Sequence, residues 1–149
     1  MKRILQLTGI GIVSGAVLAA LMQLIYELTG SQAYVLLYNV DYWPIIHVFQ
    51  DVPGFGLAFH FVFCIASVVG LYYILKVFGM EYTLWPYIAV YTIGSGILYF
   101  LTLLTDLPPA ADDPIAWAYW TASHFVYSLI VAEMIIRFVG RRELHAKTV

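Results

Sequence analysis

The sequence predicts an all-α integral membrane protein: a four-transmembrane-helix bundle with an amphipathic extracytoplasmic segment between helices 1 and 2. Three observations carry that prediction. Of 149 residues, 62% are hydrophobic and 11% charged, with a mean hydropathy of +0.86; a soluble domain is nearer half apolar and a quarter charged. Four apolar stretches each reach the roughly 20 residues that cross a bilayer. All seven Lys and Arg residues fall on one side of the resulting topology.

The first span is expected over 4–28. Lys2 and Arg3 precede it, but its apolar run is longer than a signal-peptide core and has no small-x-small cleavage site. It therefore reads as an uncleaved helix. Gly11, Gly15 and Ala19 recur every four residues and make a smooth stripe. Small residues let helices approach closely in lipid, where no hydrophobic force joins them. The stripe should meet a helix of the same chain; a homo-oligomer through Gly11, Gly15 and Ala19 is the other use for it. Segment 29–53 is too broken to span. Tyr34, Leu37, Tyr38 and Tyr42 lie near helical spacing, which predicts a short helix on the membrane surface, broken at Pro44.

The second span is expected over 54–78, with His60, Cys64 and Lys76 along it. A tight turn leads into the third, over 84–104, with Pro86 in its first turn and a small-residue notch at Gly94, Ser95 and Gly96. The loop to Pro114 is acidic and proline-stiffened. The fourth span, over 115–139, follows Trp117, Tyr119 and Trp120 from its aromatic start to Arg137. The whole chain, 1–149, forms a single transmembrane domain.

Orientation follows from charge. Lys2, Arg3, Lys76, Arg137, Arg141, Arg142 and Lys147 share one side, and the two opposite loops carry only acids. The positive-inside rule then places both termini in the cytoplasm, in a bacterial-type inner (plasma) membrane. Arg141, Arg142 and Lys147 form a juxtamembrane patch suited to anionic lipid.

An ionisable group inside a span is a functional hypothesis by default. His60 and His124 sit roughly 9 and 14 Å below the same membrane face at 1.5 Å per residue, and Glu27 and Gln23 end at nearby depth. An intramembrane polar cluster of Glu27, His60, His124 and Gln23 follows. Its plain role is hydrogen-bonded packing. It also suits a proton or polar-solute path, a bis-histidine haem, or a metal held by His60 and His124. Glu133 and Arg137 stand at i, i+4 in the favourable order for a helical ion pair.

Other chemistry is not encoded. The single cysteine, Cys64, excludes an internal disulfide and Cys-x-x-Cys redox work. There is no phosphate loop, nucleophile elbow or paired-carboxylate motif, and no basic cluster that would hold nucleic acid. The expected partner is the lipid bilayer. The expected role is that of a non-catalytic accessory or interaction subunit with no cofactor. A small transporter or channel subunit is the first alternative, and a haem-binding redox protein the second.

Overall fold

A computed structural model of the chain describes residues 2–140. All regular structure in it is helical, with no strand among those residues. Helix α1 runs Lys2–Thr29, α2 Phe55–Val77, α3 Leu84–Leu98 and α4 Pro114–Met134. α3 continues as a 3₁₀ turn over Tyr99–Leu104, and α4 as a π-helical turn over Ile135–Gly140. With these extensions, all four are long and apolar enough to cross a membrane. The bounds lie within a few residues of those expected. Each helix keeps much of its apolar surface on the outside; Leu5, Val77, Trp85 and Leu103 are all exposed. This is the pattern of a multi-pass membrane protein, whose outer face meets lipid rather than water.

Local chemistry sets the helix ends. The Asp113 carboxylate accepts from the amides of Ile115 at 3.0 Å and Ala116 at 2.9 Å, and Pro114 occupies the first helical position of α4. This satisfies amides that a helix start leaves without partners. At the other end of the bundle the α2–α3 turn is tied down by tyrosines. Tyr87 donates to the Glu81 carbonyl at 2.8 Å, and the Tyr72 and Tyr82 hydroxyls meet at 3.2 Å.

Packing between the helices is uneven. α1 lies against both α2 and α4, and α3 lies against α4; the α2 and α3 backbones stay apart and approach only through long side chains such as Tyr72, Tyr87 and Tyr91. The order across the bundle is therefore α2, α1, α4, α3, with a cleft between the outer two. The α1–α2 contact rests on the predicted small-residue stripe. A Cβ on Gly11 would come within 2.8 Å of the Ile65 Cα, and one on Gly15 within 3.1 Å of the Cys64 sulfur. Gly11 and Gly15 of the stripe are thus occupied within a single chain. The α3–α4 contact uses the notch: the Trp120 indole donates to the Ser95 carbonyl at 2.8 Å, and Trp117 to that of Gly96 at 3.0 Å.

The segment between α1 and α2 differs from the single helix expected. It holds two short 3₁₀ turns, Gln32–Leu37 and His47–Phe49. Side chains end the first one well before Pro44. The Gln50 side-chain oxygen accepts from the Val40 amide at 2.7 Å, and that of Asn39 accepts from the Asp41 amide at 2.8 Å. These bonds offer the backbone an alternative to helix. The segment buries Ala33, Leu36, Leu37 and Val40 against the bundle, forming a cap. Thr105 fastens it to the α3–α4 loop by donating to the Asp41 carboxylate at 2.8 Å.

Candidate functional site

Helical spacing brings polar side chains to the cleft. His60, Cys64 and Ser67 stand at i, i+4 and i+7 on α2, and Trp120, His124 and Tyr127 repeat that spacing on α4, so each set shares one helix face. Both sets line one cavity of about 320 Å³. α3 closes its far side with Tyr91, Gly94 and Ser95, and Leu36, Leu37 and Trp43 of the cap cover its end. His60 and His124 therefore share one space between helices, and His124 lies within electrostatic range of His60.

Hydrogen bonds fix what each ring offers. His60 Nε2 lies 3.0 Å from the Gly15 carbonyl, and His124 Nδ1 lies 2.8 Å from that of Trp120. A carbonyl only accepts, so these nitrogens carry the hydrogens of neutral rings. That leaves His60 Nδ1 and His124 Nε2 as acceptors. The Cys64 sulfur sits beside the His60 ring, 3.9 Å from Nδ1 and 3.8 Å from Nε2, whereas no hydrogen bond reaches His124 Nε2 among the described residues. The His124 ring lies over Trp120, with centroids 4.3 Å apart, and His60 meets Tyr38 edge-on at 5.9 Å. Burial raises the hydroxyl pKa of Tyr38 and of Tyr42, which keeps both phenols neutral hydrogen-bond donors.

Two further hydroxyls are buried behind the cavity wall. Tyr91 and Tyr127 pack edge to face with centroids 5.0 Å apart, and neither hydroxyl finds a partner of hydrogen-bond geometry. Ser14, Ser67 and Cys64 are close enough to act on these hydroxyls, but none is aligned to bond them. Tyr127 is only 3% exposed. An unpaired polar group so buried is uncommon and costs stability.

The other expected site residues lie elsewhere. The Gln23 amide donates to the Glu27 carboxylate at 2.8 Å on an exposed face of α1, and neither residue lines the cavity. The expected four-residue cluster is thus divided: the histidines come together and the Gln23–Glu27 pair stays apart from them. Glu133 and Arg137 form the expected ion pair at 2.6 Å, with both side chains about half exposed or more. Arg141, Arg142 and Lys147 lie outside the described residues.

For iron or another metal between the histidines, His124 presents a bare Nε2, but His60 has its Nε2 on the Gly15 carbonyl and leaves only Nδ1. No group of three or more His, Cys, Asp or Glu is arranged to hold a metal ion among the described residues. A broader depression of about 820 Å³ lies along the acidic loop from Thr105 to Asp112, but it is open and holds neither histidine.

Sequence reasoning reached His60 and His124 but did not single out Ser67, Tyr91 or Trp120 for the site. The repeated i, i+4, i+7 spacing on spans two and four was the signal available for two of these. Nothing comparable marks Tyr91, which is selected only by how α3 packs on α4. No protein-family model, no curated protein and no solved structure matches this chain, so its function is argued from its own residues.

Proposed function

We propose that the protein is a small multi-pass membrane protein that binds one lipid-soluble molecule between α2 and α3, without chemistry of its own. The observation that carries this reading is the cavity itself: a mostly apolar space holding both membrane histidines, flanked by two helices whose backbones stay apart. Its volume lies at the lower end of small-molecule sites, and a few polar groups in an apolar lining match the usual make-up of such sites. This is an accessory role, as a carrier or sensor of its ligand. A polar-solute path has less support, because the Gln23–Glu27 pair that would extend the polar lining faces away.

In this reading the chain lies in a plasma membrane with both termini cytoplasmic. The distribution of the seven basic residues supports that orientation. The cap then lies at the outer interface. Trp43, Ile45, Val48, Phe49 and Val52, all exposed, support this placement, since aromatic and aliphatic side chains settle at the headgroup boundary. With Cys64 replaced by serine, a membrane-impermeant maleimide applied to intact cells should label Gln32→Cys and leave Met80→Cys unlabelled. The reverse pattern would invert the topology.

Gly94 tests the binding reading. It lines the cavity, and a Cβ there meets nothing within 4 Å, so Gly94→Leu fills space without straining the backbone. Protein extracted in native-lipid discs should carry an apolar small molecule detectable by mass spectrometry, and Gly94→Leu should retain at least fivefold less of it. Equal retention by the two proteins, or none by the wild type, would remove the reading.

A further inference from the structure

The geometry points to a neutral, hydroxyl-bearing, lipid-soluble ligand: an isoprenoid-type alcohol or a quinol, entering sideways between α2 and α3 and held by His124. This inference rests on the binding reading above and specifies its ligand.

The ligand's charge follows from what the lining lacks. No Asp, Glu, Lys or Arg lines the cavity. A carboxylate or ammonium ligand would be desolvated there with no counter-ion, at prohibitive cost. The occupant is therefore neutral.

The polar end follows from the available partners. With its hydrogen on Nδ1, His124 offers Nε2 only as an acceptor. No hydrogen bond from the described residues reaches that nitrogen. A ligand hydroxyl donates to it and stays neutral. A ligand carbonyl has no hydrogen to donate and would leave the histidine acceptor bare. An ether has the same limitation. The hydroxyl class is thus favoured over its oxidised and capped analogues.

The entry route follows from the packing. The other neighbouring helices around the bundle are in contact, and the cap covers the cavity end through Leu36, Leu37 and Trp43. The α2–α3 side is edged by Phe63, Val90 and Leu98, all exposed and all lining the cavity. In a bilayer that side faces lipid tails, so an amphipath reaches the site from the membrane, hydroxyl first, and leaves its apolar tail at these residues.

The experiment uses purified full-length protein and follows saturable binding by native mass spectrometry. The probes are farnesol and a short-chain quinol, each paired with its methyl ether. Wild-type protein should bind at least one hydroxyl probe about tenfold more tightly than its ether, the size expected for a hydrogen bond whose loss leaves a buried group unpaired. Whichever probe shows that preference identifies the source class. His124→Phe should bring the alcohol down to the level of its ether and leave ether binding unchanged. A histidine with a merely structural role would lose both together when replaced. Equal binding of alcohol and ether by wild type would overturn hydroxyl recognition and leave the cavity-binding reading standing. If neither hydroxyl probe binds, this inference falls; retention of a native molecule that Gly94→Leu abolishes would then preserve the broader reading alone.

Discussion

Replacing Gly56 by alanine is expected to lift the cap off the bundle. Gly56 lies in the first turn of α2, and a Cβ there would run into the Tyr38 carbonyl oxygen and sit 3.0 Å from both its carbonyl carbon and its Cβ. The obstacle is mainly backbone, so no rotamer change relieves it, and either the cap or the start of α2 has to shift. Overpacking of this kind costs about 1–3 kcal/mol. The Tyr38–His60 contact and the cover given by Leu36, Leu37 and Trp43 would loosen together. The readouts are a lower unfolding temperature in detergent and faster proteolysis between residues 31 and 53. Unchanged protection of that segment would show that the cap does not rest on Gly56.

Gly11→Leu should have a still larger effect. Alanine alone would bring a Cβ within 2.8 Å of the Ile65 Cα, and leucine adds three carbons to that contact. α1 and α2 must then separate along the seam that also holds Gly15 against Cys64. The Gly15 carbonyl would be drawn away from His60 Nε2, which leaves a buried donor unpaired. Together these losses put the effect above about 3 kcal/mol. Gly9→Leu is the matched control, because a Cβ at Gly9 meets nothing within 4 Å. Loss of folded protein in Gly11→Leu with Gly9→Leu unharmed is the expected result. Equal tolerance of both would remove the seam from the account of the fold.

Much of the fold was legible because hydropathy and length act on every residue of a span at once. Each helix had about 20 residues contributing to the same decision, so its bounds came out within a few positions. The site was harder to read. Depth along a helix can be counted from the sequence, and His60 and His124 do share one cavity. The count served α1 less well: His60 is level with Gly15, and Gln23 and Glu27 lie about two and three turns beyond it. Rotation about the helix axis cannot be counted without knowing which neighbours pack where. Gln23 and Glu27 also stand on the wrong face: α1 buries Leu18 and Met22 and turns the other two outward. The cap shows a different limit. Tyr34, Leu37, Tyr38 and Tyr42 have helical spacing, yet Asn39 and Gln50 take the backbone amides that a continuing helix would need. That competition depends on a contact ten residues apart, which periodicity does not register.

The sparse contact between α2 and α3 has a consequence for how the protein is assembled. Consecutive helices usually pack on each other; here the pair joined by the shortest connection does not. The chain is instead two hairpins, α1 with α2 and α3 with α4, each with its own internal seam. They join along the α1–α4 face and through Thr105, which reaches from one hairpin's loop to Asp41 of the other. The five residues from Gly79 to Thr83 therefore act chiefly as a tether. Its chemical continuity matters less than the surfaces it holds near one another. Two half-chains divided at that turn retain every large seam, so co-expressed halves have what they need to find each other in a membrane.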